Sequence, residues 1–325
     1  MYILGVNISH HASVCLLKDG EVVFYLEDDK LSGEKEAEWW VGHDMPSLEK
    51  IAEHTDYLDY VAVSSFGRGG FEDNDITNYL LYKLDQLKIK YRRVHGAREH
   101  HLYHAYNAFY SSNFKEAAAL VLDGGGELYN NHYREAESMY VFGLEKSKCL
   151  FQHYGEHGFI PAWLNRFVRE KKPTQIGDET AFKSSTLSCG NLFKEISVSL
   201  GLYNKSFGFY PGKTMGLSAY GNTDDLTEPW YKKDKETGIW VTDNKRIIWD
   251  LYTKYRSFYR MLRRGWKGEE WDDKYYLDSD DQEMFRAAAN VAKKLQEETK
   301  LHTIRLIEDL LDRTCTNNVV LSGGY

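Results

Sequence analysis

Three histidines stand within five residues in the run Arg98-Glu99-His100-His101-Leu102-Tyr103-His104. On a helix, His100 and His104 are one turn apart and share a face. That spacing lets two imidazoles reach one metal ion. Asp123 follows the apolar run 117–122 and opens the turn Asp123-Gly124-Gly125-Gly126-Glu127, so its carboxylate stands where a strand meets the lip of a cleft. Two neutral imidazoles and a carboxylate suit iron(II), manganese or zinc. The plainer alternatives are a structural or solvated histidine cluster and an ordinary Asp-Gly turn.

A second group opens the chain, Asn7-Ile8-Ser9-His10-His11-Ala12-Ser13. A turn of this kind after a strand grips phosphates through backbone N–H groups and small side chains, here Asn7 and Ser13. A free histidine side chain titrates near neutrality, which suits His10 to act as a general base; the alternative is a polar surface turn. Glycine turns form the third group. Gly124, Gly125 and Gly126 follow one apolar run, and Gly323 and Gly324 follow another. Without a Cβ, such backbone can approach phosphate or adenosine closely. Lys213 adds a cation in Gly212-Lys213-Thr214, but this is not a P-loop, because Phe207 stands five residues before Gly212.

The elements that must position these groups read as follows. Residues 2–8, 13–17 and 21–27 are β-rich, and Lys18-Asp19-Gly20 joins the last two as a hairpin. A short helix at 46–54, a strand at 60–65, a helix at 75–87, a strand at 90–94 and a helix at 99–111 complete a first unit. Strands at 117–122, 138–144 and 149–154 begin a second. The same order of strands and turns therefore occurs twice. This predicts an α/β fold of two βββαβα subdomains around a nucleotide cleft, the actin/hexokinase/heat-shock-ATPase (ASKHA) superfold. The subdomains are 1–115 and 116–325, the second carrying an aromatic and charged insertion at about 223–281. Residues 171–180 and the glycine-rich 208–222 read as loops, and 190–202 as a helix. Residues 282–313 form a long helix with a break, and 318–322 a buried final strand.

Composition narrows the function classes. The net charge of −8 argues against a global nucleic-acid-binding surface. No apolar run approaches the roughly 18 residues that span a bilayer, so no membrane association is expected. The four cysteines are far apart and form no CxxC pair, which argues against a zinc ribbon or disulfide framework and fits a reducing cytoplasm.

Taken in order, the motifs resemble the O-carbamoyltransferases of nodulation-factor and antibiotic-tailoring pathways. The first is Asn7-Ile8-Ser9-His10-His11-Ala12-Ser13. His100-His101-Leu102-Tyr103-His104-Ala105, then Leu120-Val121-Leu122-Asp123-Gly124-Gly125-Gly126-Glu127, follow. Gly212-Lys213-Thr214-Met215-Gly216-Leu217-Ser218-Ala219-Tyr220-Gly221 and Val320-Leu321-Ser322-Gly323-Gly324 complete the series. The resemblance implies that carbamoyl phosphate and ATP give a carbamoyl-adenylate, whose carbamoyl group passes to an acceptor hydroxyl of a sugar, antibiotic or nucleoside. It implies His100, His104 and Asp123 as ligands of a divalent metal, iron(II) foremost, with His10 as base and Lys35 steadying carbamoyl or phosphate charge. The segment Glu27-Asp28-Asp29-Lys30 departs from the family pattern in having lysine for arginine, and Gly33 stands where a basic residue is common. The family pattern continues beyond Gly324 with a further aspartate ligand and an adenylate-forming domain. The expectation is therefore a truncated second half that lacks this domain or a split partner chain; a homo-oligomer is compatible. Two other readings stay open. One is the related tRNA threonylcarbamoyladenosine-forming transferases, whose opening motif differs from Ser9-His10-His11-Ala12-Ser13. The other is a non-catalytic nucleotide-binding fragment or partner subunit.

Overall fold

The computed structural model describes residues 1–8, 11–34, 37, 39, 42–65, 73–96, 99–130, 132–156, 172–177, 179–200, 202–204, 208–209, 211–223, 228–243, 246–247, 250 and 282–324. His10, Lys35 and most of the insertion 223–281 lie outside the described residues. The chain divides into two compact units, Met1–Tyr103 and His104–Tyr325.

The first unit is built on one sheet. Strands β1 (Tyr2–Ile8), β2 (Ser13–Lys18) and β3 (Glu21–Glu27) form an antiparallel meander. Asp19 and Gly20 both take positive φ between β2 and β3, as an Asp-Gly hairpin requires. A short helix α1 (Asp29–Ser32), a helix α2 (Pro46–Glu49) and a 3₁₀ turn (Lys50–Glu53) lead to β4 (Tyr57–Ser65), which lies parallel to β1. Helix α3 (Asp73–Gln86) then crosses to β5 (Lys90–Gly96), parallel to β4. The strand order is β3-β2-β1-β4-β5. Alternate residues of β1 and β2, Leu4, Val6 and Ile8 with Val14 and Leu16, face one core. Ile76, Leu80 and Leu84 of α3, each one turn apart, cover it.

The second unit repeats that order. Helix α4 (His100–Ser111) starts in the last residues of the first unit and continues unbroken into the second. Strands β6 (Glu116–Leu122), β8 (Tyr133–Gly143) and β9 (Ser147–Glu156) form an antiparallel meander, with the short β7 (Leu128–Tyr129) paired to β8. Strand β16 (Val319–Ser322) returns parallel to β6. The order β9-β8-β6-β16 thus matches β3-β2-β1-β4, strand for strand and sense for sense. This duplication is the actin/hexokinase-type α/β fold. Beyond β9, the sheet adds β11 (Ala181–Ser184) and β10 (Thr174–Gln175). The segment 171–180, read from sequence as a loop, therefore contains a strand.

Between β11 and β16 come α5 (Cys189–Ser199), the small β12 (Tyr203–Asn204) and β13 (Gly208–Phe209) pair, and α6 (Pro211–Ser218). The β14 (Tyr231–Lys233) and β15 (Trp240–Thr242) pair and α7 (Gln282–Thr314) complete the unit. Helix α6 corrects the loop expected at 208–222. Pro211 stands at its start, where a missing N–H costs nothing. Its buried Thr214, Leu217 and Ser218 outweigh the low helix propensity of Gly212 and Gly216. Helix α7 is unbroken over 33 residues, where a break was expected; it contains neither proline nor glycine. Its Ala288, Ala289, Val291, Ala292 and Leu295 seal one apolar cluster, and its Leu306 and Leu310 seal a second. The last strand is less enclosed than its sequence suggests: Val320 is buried, but Leu321 is 54% exposed. No helix among the described residues is long and apolar enough to cross a membrane.

Candidate metal centre

Aromatic packing fixes helix α4 on the sheet. Phe109 stacks on Phe142 of β8 with ring centroids 5.0 Å apart, and Tyr106 meets the same ring edge-on at 5.3 Å. The Tyr106 hydroxyl also shares a 3.1 Å hydrogen bond with the Ser147 hydroxyl. A helix held this way presents His100 and His104 from successive turns at a defined height. His101, one position round the helix, is fully buried instead.

Asp123 meets these histidines from the end of β6. One ligand atom from each of His100, His104 and Asp123 lies within 4.8 Å of the other two. The three are partly exposed, so an ion there would have an open side. The donor set, two imidazole nitrogens and a carboxylate oxygen, fits a first-row divalent ion. Asp123 is also held in place. Its Oδ1 accepts the Gly124 N–H at 2.7 Å and the Gly324 N–H at 3.3 Å. Such outer bonds orient a ligating carboxylate.

Three turns close around this aspartate. The 123–127 turn is pinned to the start of β8: the Gly126 N–H donates to the Glu135 carbonyl and the Glu135 N–H to the Glu127 carbonyl, both at 2.8 Å. The start of α5 lies against it. Ser188 caps that helix by accepting the Asn191 N–H at 3.1 Å. A Cβ on Gly190 would sit 2.5 Å from the Gly124 backbone. The Ser322-Gly323-Gly324 turn forms the third side. Gly323 has φ +117°, and a Cβ there would sit 1.8 Å from the Leu122 carbonyl oxygen. The Ser322 hydroxyl donates to the His104 carbonyl at 2.8 Å. Gly323 and Gly190 are thus glycines because protein backbone passes against them. Gly124 differs: a Cβ there would meet nothing within 4 Å, and its φ is not left-handed.

The remaining sequence candidates are placed as follows. Asn7 donates its side-chain amide to the His11 carbonyl at 2.9 Å, closing the turn between β1 and β2, where His11 takes φ +56°. Ser13 pairs with Asn7 in the strand register at the base of that turn. Lys213 is exposed on the first turn of α6. Thr214, beside it, points inward to hydrogen-bond Ser197 of α5 at 2.6 Å. Gly125 and Gly126 complete the 123–127 turn. Sequence reading missed a second cluster, Glu137, Cys189 and His302, whose ligand atoms also lie within 4.8 Å of one another. Its members come from three elements far apart in the chain, and no local spacing marks them.

Known proteins share parts of this sequence and fold. An uncharacterized protein, MJ1051, of Methanocaldococcus jannaschii is 28% identical over 127 residues, 38% of this chain and 22% of that protein. The solved structure of HypF from T. kodakarensis superposes with a TM-score of 0.52 at 15% identity, over 99% of this chain and 42% of that one. Its likeness is one of fold. A putative N-acetylmannosamine kinase from Listeria monocytogenes, Lmo2764, aligns at 9% identity and a TM-score of 0.36, over 100% of this chain and 84% of that one. The chain spans less than half the length of either of the first two. The family model described as "Carbamoyltransferase N-terminus" matches residues 78–322, a stretch that runs from α3 through the histidines and Asp123 to the end of β16. On that match, the chain belongs to the carbamoyltransferase family, a family of transferases, through its N-terminal domain.

Proposed function

We propose that this chain serves O-carbamoyl transfer: a carbamoyl group, activated from carbamoyl phosphate and ATP as a carbamoyl-adenylate, moves to an acceptor hydroxyl. The observation that carries this reading is the meeting of His100, His104 and Asp123 beside the glycine turns, in a chain of a carbamoyltransferase family. These three residues would hold a divalent ion, iron(II) before manganese or zinc. When bound, the ion polarises phosphate oxygens and offsets their charge. Nucleotide binding is assigned to Asn7 and Ser13 in the first unit and to Gly124, Gly125, Gly126, Lys213, Gly323 and Gly324 in the second. His10 takes the proton of the acceptor hydroxyl as its oxygen attacks the carbamoyl carbon. The carbon–oxygen bond to the adenylate then breaks and AMP leaves. Lys35 offsets charge on the carbamoyl or phosphate group. The acceptor is a small molecule with a free hydroxyl, such as a sugar, an antibiotic or a nucleoside.

Two variants test this. His104→Ala should abolish divalent-metal uptake at this site, measured by elemental analysis with iron(II) as the only metal offered. Undiminished uptake would remove the metal assignment. His10→Asn should keep metal and ATP binding but slow transfer to a hydroxyl acceptor by ~10²–10⁴-fold, the usual contribution of a general base. A wild-type transfer rate in that variant would take the role from His10.

A further inference from the structure

Glu137 on β8, Cys189 at the start of α5 and His302 in the middle of α7 are each essentially inaccessible to solvent. They sit where α7 passes from one apolar cluster to the other, a place where polar groups need a reason to be buried. One ligand atom of each lies within 4.8 Å of the other two. His302 Nε2 stands 3.4 Å from Glu137 Oε1. That is long for a charge-assisted hydrogen bond, which is typically about 2.7–2.9 Å. It is close to the roughly 3.3 Å that separates two donors each about 2.0 Å from a tetrahedral ion. The other ring nitrogen of His302, Nδ1, is buried without a hydrogen-bond partner. A satisfied core histidine has neither feature. An ion reached through Nδ1 gives that nitrogen the partner it lacks, and one reached through Nε2 replaces the long contact to Glu137 Oε1.

The groups around the three atoms are those of a ligand's outer shell. His153 Nδ1 lies 2.8 Å from Glu137 Oε2, and its Nε2 lies 2.8 Å from the Ser184 hydroxyl. That chain fixes one carboxylate oxygen and leaves Oε1 turned to His302. The Tyr231 ring stacks on His302 at 4.0 Å, and its hydroxyl is 3.7 Å from Cys189 Sγ. We propose that Glu137, Cys189 and His302 form a buried site for a thiophilic divalent cation, zinc by its ligand chemistry, distinct from the open cluster at Asp123. Thiolate, imidazole and carboxylate are all donor types that bind zinc, and three protein donors leave a fourth coordination position open. The charges close as well. One carboxylate and one thiolate balance the charge of a divalent ion. Burial pushes the Cys189 thiol up, so binding proceeds with release of the thiol proton to solvent as the sulfur–metal bond forms.

Cobalt(II) is the probe, because a thiolate ligand gives it a charge-transfer band in the near ultraviolet and the cluster at Asp123 contains no sulfur. The purified chain carrying His104→Ala, which disables that other cluster, is stripped of metal, loaded with cobalt(II) and desalted. The expected result is about one retained cobalt per chain, with the thiolate band. The band should persist when Cys15→Ser, Cys149→Ser and Cys315→Ser leave Cys189 as the sole thiol, and disappear in Cys189→Ser. No retained cobalt, cobalt without the band, or a band that survives Cys189→Ser would overturn the proposal. If Cys189→Ser does not fold, the variant with Cys189 as sole thiol decides, since any thiolate band must then come from that residue.

Discussion

Gly124 and Gly323 both lie beside Asp123, yet only Gly323 is held to glycine by its own backbone and surroundings. Gly323 combines a left-handed φ with a backbone oxygen where its Cβ would be. Gly323→Ala should therefore lower stability by several kcal/mol, in the range of roughly 2–4 for strain plus overlap, read from a denaturant titration. Gly124 has open space instead. Gly124→Ala should leave stability unchanged or raise it by up to about 1 kcal/mol through the unfolded chain. If nucleotide phosphates come close to this turn, the same variant weakens ATP binding in calorimetry. An unchanged ATP affinity would remove Gly124 from the nucleotide site. At this scale the sequence was informative where spacing is local. His100 and His104 follow from the helical period, and Asp123 from its place after an apolar run. It was silent on Glu137, Cys189 and His302, because only the completed fold joins residues on three elements. It also could not tell which glycines the neighbouring backbone requires.

Helix α7 shows what an element contributes beyond its residues. Leu295 is fully buried, whereas Leu301 is about half exposed. Leu295→Ala should cost about 2–5 kcal/mol and Leu301→Ala less than about 0.5, a contrast readable in thermal or denaturant unfolding. Equal effects would mean that the helix does not seal its cluster through that face. Its threonines are accommodated by donating hydroxyls one turn back, Thr299 to Leu295 and Thr314 to Leu310, each at 2.8 Å. The 3.6-residue pattern made this helix legible, though its lack of proline and glycine should have argued against a break. Helix α6 was missed for the converse reason. Its two glycines look like a loop, and only its packing against α5 and α7 stabilises the helix. Gly221, just after it, touches α7 so closely that a Cβ would lie 2.1 Å from the Ala289 carbonyl oxygen.

At the scale of the whole molecule, each unit has its own sheet and its own buried core. The duplicated strand order was legible because hairpin signals and apolar runs are local. The added strands β10 and β11 were not, being too short to show a period. Leu80 lies wholly within the first unit's core. Leu80→Ala should raise amide hydrogen exchange in the peptides of β1 and β4 while those of β6 and β8 hold their protection. Uniform loss across all four strands would show a single cooperative core instead. A last consequence follows from α7 serving two apolar clusters with one uninterrupted spiral. Each residue added to an α-helix turns everything beyond it by about 100°. One alanine inserted between Leu295 and Leu306 would rotate one seam away from its cluster while the other stayed in place. Seven added residues, nearly two full turns, would bring the seams back almost into phase but about 10 Å further apart. Natural variation in this segment is therefore expected by substitution and not by change of length: the helix behaves as a ruler whose marks and angles are both fixed.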